Sequence, residues 1–474
     1  MTSDNSHDNL PDASGRSLFG TPKRLTAALA VLAVLTIGGG TAVAVLRDES
    51  SAAAGSVATS AASVGEGEGI WDAGTVHDIT VDVDADAVAD MIDVYQETSE
   101  KEWVEATVTI DGKTFERVGM RLKGNSSLRG LEDGADPAEL PWLVRLDEFV
   151  EDQSLDGWTD FVIRSNSSET ALNEAVALEL LAEAGLASEH AVPTSFSVNG
   201  GDAQLRLVVQ ALDEQWEEEN FTTEGILYKA EAGGDWSWRG TDPDAYDEIF
   251  DQETGEEDLT PLIELLDFVN NSTDAEFEEG LAERLDVEAF ARYLAFQDLI
   301  GNFDDIDGPG NNSYLRYDAE SGGFTVVAWD HNLAFGGSPG GGGRSFGGDG
   351  ERPEGFEPPE GFDPSEGFEP PEGFEPPEGM EMPDGGARPG GMGFGGMGGR
   401  SNVLVERFTA VEKWDDLVTQ AKTDLVASLY SSGVAEEVVD RWAGVLADHA
   451  SDLVDPATVA DEAQAIRDFV AEQE

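Results

Sequence analysis

The sequence predicts an α+β protein with strands in its first half, helices in its second half and a membrane-spanning helix ahead of both. Apolar and polar residues alternate in short segments between residues 70 and 212, as they do in half-buried strands. From residue 213 onward, apolar residues recur at helical spacing. The third observation is an uncharged stretch over residues 25–46, which is long enough to cross a bilayer as a helix.

The uncharged stretch reads LTAALAVLAVLTIGGGTAVAVL and follows a tail, residues 1–24, that carries three basic residues. Basic residues before such a stretch favour a cytoplasmic tail and an exported body. We therefore predict a single-pass protein of the cell membrane, held there by residues 25–46, with an extracytoplasmic main domain. Ala42-Val43-Ala44 is also an acceptable cleavage site, and the alternative is a protein secreted after signal cleavage.

A flexible linker rich in Ala, Ser and Gly is predicted over residues 47–69, followed by a β-rich lobe over residues 70–212. The lobe begins with the strand VHDITVDVDADA and the helix AVADMIDVYQETSE. The hairpin WVEATVTIDGKTFERVGMRLKG comes next and turns at Asp111-Gly112, and the strands PWLVRLDEFV and DFVIRSN continue the sheet.

One helix, ETALNEAVALELLAEAGL, is inserted in this lobe. We expect Ser167 or Ser168 to be its N-cap and Gly185 to end it. Two further strands, TSFSVNG and QLRLVVQAL, complete a sheet that should be mostly antiparallel.

The helical second half is predicted over residues 213–336 and 401–474, on either side of an insertion over residues 337–400. The insertion is dominated by Gly, Pro, Glu and Phe, and residues 353–382 repeat a six-residue unit such as PEGFEP. Proline and charge at this density prevent a packed core, so the insertion is predicted to be disordered. A polyproline-like arm that presents Phe side chains to a partner is the alternative.

Composition excludes several classes of protein. The 98 acidic residues against 27 basic ones give a net charge of -71, which repels DNA and RNA, and no nucleic-acid partner is expected. The chain has no cysteine, so it forms no disulfide and has no thiolate nucleophile. With five histidines and no clustered pair, a zinc site is not expected.

Two acidic segments carry the functional signal: GNFDDIDGPGNNSYL at residues 301–315 and VVAWDHNLAFG at residues 326–336. A calcium-binding EF-hand loop that starts at Asp305 would need an oxygen ligand at its fifth position and Glu at its twelfth. Pro309 and Arg316 stand there, so this loop is not of that type. A turn, a cation site and a catalytic loop remain open from these residues alone.

The order of elements resembles that of protein kinases, in which a β-rich lobe with one inserted helix precedes a helical lobe. In kinases the catalytic Asp and the metal-binding Asn and Asp lie on a loop and hairpin at the place of the two acidic segments. The resemblance implies a two-lobed protein-kinase-like fold. The glycine-rich loop and the VAIK, HRD and DFG motifs of ordinary kinases are missing.

The residues resemble a different family, the CotH kinases, which are named for a bacterial spore-coat protein and have an atypical kinase-like fold. GMRLKGNSS at residues 119–127 is similar to the family pattern G-x-R-x-[KR]-G-x-S-S. Five further segments follow in the family order: LVRLDEF, LNEAVALELLAEAGL, VVQALDE, LYKAE and the pair of acidic segments.

The resemblance implies a role for each matching residue. Asp304 would be the catalytic Asp that orients or deprotonates a hydroxyl, and Asn312 and Asp330 would hold Mg²⁺ or Mn²⁺. ATP phosphates would be bound by the residues of the GMRLKGNSS segment: Arg121, Lys123, Gly124, Asn125, Ser126 and Ser127. Arg145 stands where the family has a strand Lys that touches the phosphates, and Glu174 would be its ion-pair partner.

The function implied is ATP- and Mg²⁺-dependent phosphoryl transfer to Ser or Thr of a surface or coat protein. Two alternatives stay open from the sequence. The chain could be a weakly active or inactive kinase-like scaffold or adhesin, because Arg is not equivalent to Lys at residue 145. It could also transfer the nucleotide part of ATP instead of the γ-phosphate.

Overall fold

Seven strands of the first half close into a barrel in the computed structural model, which describes residues 69–128, 131, 134–232, 234–308, 311–337 and 402–473. The strand order around the barrel is β1-β2-β3-β4-β5-β7-β6. The strands are β1 (His77–Val83), β2 (Val104–Ile110), β3 (Lys113–Leu122), β4 (Trp142–Arg145), β5 (Asp160–Ile163), β6 (Ala191–Val198) and β7 (Gln204–Gln210), with α1 (Ala85–Thr98) and α2 (Leu172–Glu183) between them.

The barrel closes because β1 is paired on both sides. Its Ile79 lies opposite Ile110 of β2 in an antiparallel pair and opposite Phe196 of β6 in a parallel pair. The side chains alternate along β3, β4 and β5: Met120, Trp142 and Phe161 are buried in the core. Arg121 of β3, Arg145 of β4 and Arg164, which directly follows β5, are only partly buried and belong to the candidate site.

The predicted two-lobed kinase-like fold is therefore wrong. A mostly antiparallel sheet was expected in the first half, and its strands are found to close into a seven-stranded barrel. The parallel contact between β1 and β6 joins residues that are far apart in sequence, and local alternation of apolar residues carries no information about it. The α+β content and the hairpin that turns at Asp111-Gly112 are confirmed, since both turn residues have positive φ, at 48° and 78°.

A second sheet of four strands follows, in the order β11-β10-β8-β9. The hairpin of β10 and β11 was predicted, and pairs Leu315 with Val326. β8, from the LYKAE segment, adds to β10 on its other side. The strands are β8 (Gly225–Ala230), β9 (Phe250–Gln252), β10 (Ser313–Asp318) and β11 (Phe324–Ala328).

Helices account for most of the remaining described chain. Those before the second acidic segment are α3 (Glu214–Asn220), α4 (Thr260–Asn271), α5 (Asp274–Gly280) and α6 (Val287–Leu299). Those after residue 401 are α7 (Val403–Ala410), α8 (Glu412–Leu425), α9 (Val434–His449) and α10 (Pro456–Gln473), with a π-helical turn, Val426–Tyr430, that extends α8. Aromatic side chains of α6, α7 and α8 form the helical core, as in the pair of Phe290 and Phe408 with ring centroids 4.9 Å apart.

The predicted membrane-spanning helix finds no support. None of the helices in the described ranges is both long enough and apolar enough to cross a bilayer. The segment on which the prediction rests, residues 25–46, lies outside the described residues, and so do nearly all of the predicted linker and the predicted disordered insertion. The prediction of a single-pass membrane protein with an extracytoplasmic domain is withdrawn.

Candidate active site

A mostly buried ion cluster of Arg164, Glu174 and Asp330 lies at the centre of the candidate site. Arg164 Nε donates to Glu174 Oε2 at 3.0 Å, and Nη2 lies 2.5 Å from Glu174 Oε1. The same Nη2 donates to Asp330 Oδ1. The cluster joins three elements of the fold: the end of β5, the first turn of α2 and the residue that follows β11 and Trp329.

Local backbone structure sets each of these side chains in place. Arg164 extends β5 by one residue, and its amide donates to the Leu207 carbonyl at 2.9 Å. Glu174 is in the first turn of α2, where the helix dipole favours a carboxylate. Asp330 has a left-handed backbone with φ of 60°, a conformation that non-glycine residues adopt only where the surrounding structure holds them.

The charges in this cluster depend on one another. Burial alone would lower the pKa of Arg164, but the carboxylates of Asp330 and Glu174 outweigh it and raise that pKa. Burial raises the pKa of Glu174, and Arg164 opposes that rise. Glu189, only 1% exposed, lies near the cluster, and burial raises its pKa to about 8. One of its oxygens, Oε2, has no hydrogen-bond partner within the described chain.

The predicted ion pair of Arg145 and Glu174 is not found. Arg145 instead donates to Asp160, with its Nε 3.0 Å from both carboxylate oxygens and its Nη2 2.7 Å from Oδ2. The guanidinium also lies 5.3 Å from the ring centroid of Trp103. Arg164 makes the contact to Glu174 that was expected of Arg145.

Three cations lie close together beside this cluster: Lys101, Arg121 and Lys123. Within the described residues, none of their side chains donates a hydrogen bond or forms an ion pair, and Arg121 Nε is buried without an acceptor. Arg121 lies over Trp103 at 4.8 Å and Lys123 over Trp329 at 5.7 Å. The Trp329 ring centroid also lies 5.5 Å from Arg164, so this ring contacts both Lys123 and the ion cluster.

The pKa values of Lys101, Arg121 and Lys123 are all lowered, and the charges of neighbouring cations contribute to each decrease. The pKa of Lys123 is lowered to about 8: burial is the largest cause, Glu253 opposes it, and the charges of Lys229, Arg121 and Lys101 add to it. Burial and the charge of Arg145 lower the pKa of Arg121. Burial and the charge of Lys229 lower the pKa of Lys101. We call Lys101, Arg121 and Lys123 the cation cluster.

The rest of the predicted phosphate segment is a tight turn directly after Lys123. Ser126–Leu128 form a 3₁₀ turn in which the Leu128 amide donates to the Asn125 carbonyl at 3.2 Å. Gly124 has φ of 106°, and a Cβ there would lie 2.2 Å from Ser127 Oγ, so glycine is required. The turn brings backbone amides next to the cation cluster.

The first acidic segment is a loop between α6 and β10 that brings Asp304 and Asn312 together. Asn312 Nδ2 donates to the Asp304 carbonyl at 2.8 Å, and the Asn312 amide donates to the Asp305 carbonyl at 3.1 Å. Asn311 Nδ2 donates to the Glu231 carbonyl at 3.1 Å and thereby ties the loop to the end of β8. Burial raises the pKa of Asp305 to about 7, so this loop carries less charge near neutral pH than its three aspartates suggest.

Asn312 and Asp330 offer oxygen atoms suited to a hard cation, but the described residues do not form a complete set of acidic metal ligands. The described residues contain no group of three or more carboxylate, His or Cys side chains that could hold a metal ion. Asn312 uses its amide nitrogen toward Asp304, which leaves Oδ1 as its possible ligand atom. Asp330 receives Arg164 on Oδ1, which leaves Oδ2. Any metal site here must be completed by a ligand such as phosphate or by water.

Two residues of the site were missed by reasoning from sequence. Arg164 belongs to DFVIRSN, which has the same strand-like pattern as the segment that carries Arg145, and nothing local tells the two arginines apart. Lys101 precedes β2 in a polar connection and is not part of any motif identified in the sequence. Only 27 of the 474 residues are basic, and this scarcity could have indicated that Lys101 and Arg164 are candidates for the site.

Cations that have no hydrogen-bonded partner among the described residues, next to an arginine–carboxylate network and an acidic loop, are typical of proteins that bind phosphate esters. The chain belongs to the CotH kinase protein family, whose model matches residues 120–471, more than half of the chain. No curated protein matches the chain closely enough to count as a relative. The family resemblance of the sequence motifs is thus confirmed, and membership implies in general a nucleotide and a protein that accepts phosphate.

Proposed function

We propose that this protein is an ATP-dependent phosphotransferase that transfers the γ-phosphate to a Ser or Thr hydroxyl of a protein. The observation that carries the proposal is the cation cluster. In a chain with 98 acidic and 27 basic residues, three cations lie together in a partly buried place without a hydrogen-bonded counter-charge in the described structure.

Such a cluster is costly unless a ligand compensates it. Burying a charge without a partner destabilises a protein, and three like charges repel one another. An anion with several negative charges would remove both penalties at once. The residues present therefore fit the phosphates of ATP: Lys123 and Arg121 offer side-chain donors that no acceptor in the described ranges uses, and the turn at Gly124 adds backbone amides.

The acidic side of the site fits a divalent cation. Asn312 and Asp330 supply amide and carboxylate oxygens, which Mg²⁺ and Mn²⁺ prefer, and such an ion would shield the phosphate charges when bound. Arg164 keeps Glu174 and Asp330 close despite their like charges. Asp330 is consequently held in place before any ligand arrives, which is the kind of preorganisation that favours catalysis.

Asp304 is the residue we assign as the base. In the proposed reaction, the hydroxyl oxygen of the acceptor forms a bond to the γ-phosphorus while the bond from that phosphorus to the β,γ-bridging oxygen breaks. The hydroxyl proton passes to the Asp304 carboxylate, and ADP leaves. Asn312 holds the loop backbone at Asp304 through the 2.8 Å hydrogen bond to its carbonyl.

The test is label transfer with two forms of ATP. The protein is incubated with Mg²⁺ or Mn²⁺ and ATP labelled on either the α- or the γ-phosphate, with the chain itself, casein and histone as acceptors. We expect γ-label on protein with the wild type, and a loss of about 100-fold or more with Asp304→Asn and with Asp330→Asn. Asp244→Asn, an exposed carboxylate on a 3₁₀ turn, is the matched control and should be unaffected.

Two outcomes would count against the proposal. Transfer of the α-label would show nucleotide transfer instead of phosphorylation. The absence of both label transfer and any rise in melting temperature with ATP would favour a kinase-like protein without turnover.

A further inference from the structure

The start of α2 is held by a carboxylate from the far end of the chain, Glu462 on α10. Glu462 Oε2 accepts from Ser168 Oγ at 2.8 Å, from the Thr170 amide at 3.3 Å and from Thr170 Oγ1. Its Oε1 accepts from the Glu169 amide at 3.1 Å. One side chain thus binds four donors in residues 168–170, directly before Ala171, the residue at the N-cap position of α2.

These contacts replace a conventional helix cap. The residue at the N-cap position of α2 is Ala171, in a left-handed conformation and with no side chain to cap the helix, and not Ser167 or Ser168 as the sequence predicts. Instead, Ser168 Oγ accepts from the Ala171 amide and Thr170 Oγ1 accepts from the Leu172 amide, both at 3.1 Å. Each hydroxyl donates to Glu462, so the carboxylate reaches the amides at the start of the helix through them.

The segment before α2 is also joined to the chain that follows Asp330. Ser167 Oγ donates to the Asn332 carbonyl at 2.6 Å, and Asn173 Nδ2 donates to the same oxygen at 2.5 Å. The position of this segment therefore affects two members of the ion cluster at once. The segment sets the position of the first turn of α2, which carries Glu174. It also holds the backbone at Asn332, two residues after Asp330.

α10 contacts the other parts of the site through a second residue, Phe469. Its ring lies edge-on to the ring of Phe335, with centroids 5.6 Å apart. Phe335 belongs to the second acidic segment and follows Asp330 in the chain. The Phe469 ring also lies against Gly301, the first residue of the acidic loop, where a Cβ would be 2.8 Å from Phe469 Cζ. A single helix thus touches the start of α2, the start of the loop that carries Asp304 and the chain beyond Asp330.

We propose that Glu462 is a positioning residue for phosphoryl transfer. By fixing residues 168–170 it sets the first turn of α2, so that Glu174 binds Arg164 and Arg164 in turn holds Asp330. The inference rests on the proposed function, but its structural part concerns the start of α2 and has a readout of its own.

Three variants of the full-length protein test it: Glu462→Ala, Glu462→Gln and Asp461→Ala. In the wild type, Oε2 accepts three of the four hydrogen bonds. Glutamine has one carbonyl oxygen that can take the place of Oε2, so Glu462→Gln should retain most of the function that Glu462→Ala loses. Asp461 is exposed on the same helix and is the matched control. We expect Glu462→Ala to lower kcat by about 10- to 100-fold while KM for ATP changes by less than about 3-fold, because misplacement affects the reacting geometry more than ground-state binding.

Hydrogen exchange supplies the readout that does not depend on activity. The amides of Glu169 and Thr170 donate directly to Glu462, to Oε1 and Oε2 respectively. We expect the exchange of both amides to accelerate at least about 10-fold in Glu462→Ala. In Glu462→Gln the Thr170 amide keeps its acceptor and should accelerate much less, whereas the Glu169 amide loses its acceptor. Wild-type exchange at these amides in Glu462→Ala would overturn the inference, and so would a kcat equal to that of Asp461→Ala. If the wild type transfers no phosphate, the proposed function fails, whereas the exchange result still decides whether Glu462 positions α2.

Discussion

Arg164 on the barrel and Asp330 beyond the second sheet are joined by a direct charge-assisted hydrogen bond, although 166 residues separate them in the chain. The bond connects the two sheets at the point where the cation cluster and the acidic segments meet. Arg164 also binds Glu174, so one guanidinium lies between two carboxylates and offsets their mutual repulsion. The arrangement ties stability and the proposed chemistry to the same side chain.

Replacement of Arg164 by leucine should be strongly destabilising. It leaves Glu174, which is 3% exposed, and Asp330 without their counter-charge, and the removal of one member of a buried ion pair costs about 3–5 kcal/mol in free energy of unfolding. Arg117→Leu is the matched control: this arginine pairs with Glu105 at 3.0 Å, but both side chains are more than half exposed. Urea unfolding should place the control within about 1 kcal/mol of the wild type. Equal losses in the two variants would contradict the central role given to the cluster.

Lys123→Met should separate ligand binding from stability. Methionine removes a partly buried charge that has no hydrogen-bonded partner in the described chain, so the free energy of unfolding should stay the same or rise. The rise in melting temperature that ATP and Mg²⁺ produce should be largely lost, because a phosphate ligand loses a charged donor. Lys113→Met, at the exposed start of β3, the strand that Lys123 directly follows, should retain that rise. A variant that is destabilised yet still binds ATP normally would assign Lys123 a structural role.

The affinity for ATP should fall as the pH rises through about 8. Burial lowers the pKa of Lys123 to about 8, so its ammonium group is charged below that pH and loses its charge above it. Bound phosphate stabilises the charged form and moves the midpoint upward in the complex. Calorimetric titration from pH 6.5 to 9 should show the decline in the wild type, and Lys123→Arg, which stays charged, should show little of it. The same decline in both proteins would assign it to another group.

Glu189→Gln should make the protein more stable at alkaline pH and leave it unchanged at acidic pH. Burial raises the pKa of Glu189 from 4.5 to about 8. Between these values the folded state keeps the proton and the unfolded state releases it, so stability is lost as the pH rises through that window. Glutamine cannot ionise, and at pH 8 the variant should exceed the wild type by roughly 2–5 kcal/mol in free energy of unfolding. Glu183→Gln, which is exposed near the end of α2, should show no such difference, and parallel curves for Glu189→Gln and wild type would refute the assignment.

The sequence predicts local structure well and long-range pairing poorly. Asp111-Gly112 marks its hairpin because few residues tolerate two successive positive φ angles, and the structure has both. The predicted N-cap of α2 was wrong, because Ala171 and not Ser168 is at the N-cap position. Ser168 does accept a hydrogen bond from the Ala171 amide, but its hydroxyl is held by Glu462, which lies 294 residues away in the chain. A local capping rule has no access to such a partner.

The same limit applies to the candidate site. The acidic segments are visible as motifs, and the structure brings Asp304 and Asn312 into contact. Which arginine pairs with Glu174 depends on which strand of the barrel ends beside α2. Arg145 ends β4 and Arg164 follows β5, and nothing in the sequence around either arginine indicates which of these strands lies there. Lys101 becomes conspicuous only when the structure shows it close to Arg121 and Lys123.

The parallel pairing of β1 with β6 has a consequence for the order in which the chain can fold. Ile79 finds its second partner only when Phe196 is available, so the closure of the barrel between β1 and β6 is a late, long-range step. A nascent chain that ends before residue 198 would carry two unpaired strand edges, the feature through which partly folded proteins associate with one another. Its β1 edge would stay exposed to aggregation until the ribosome has delivered β6.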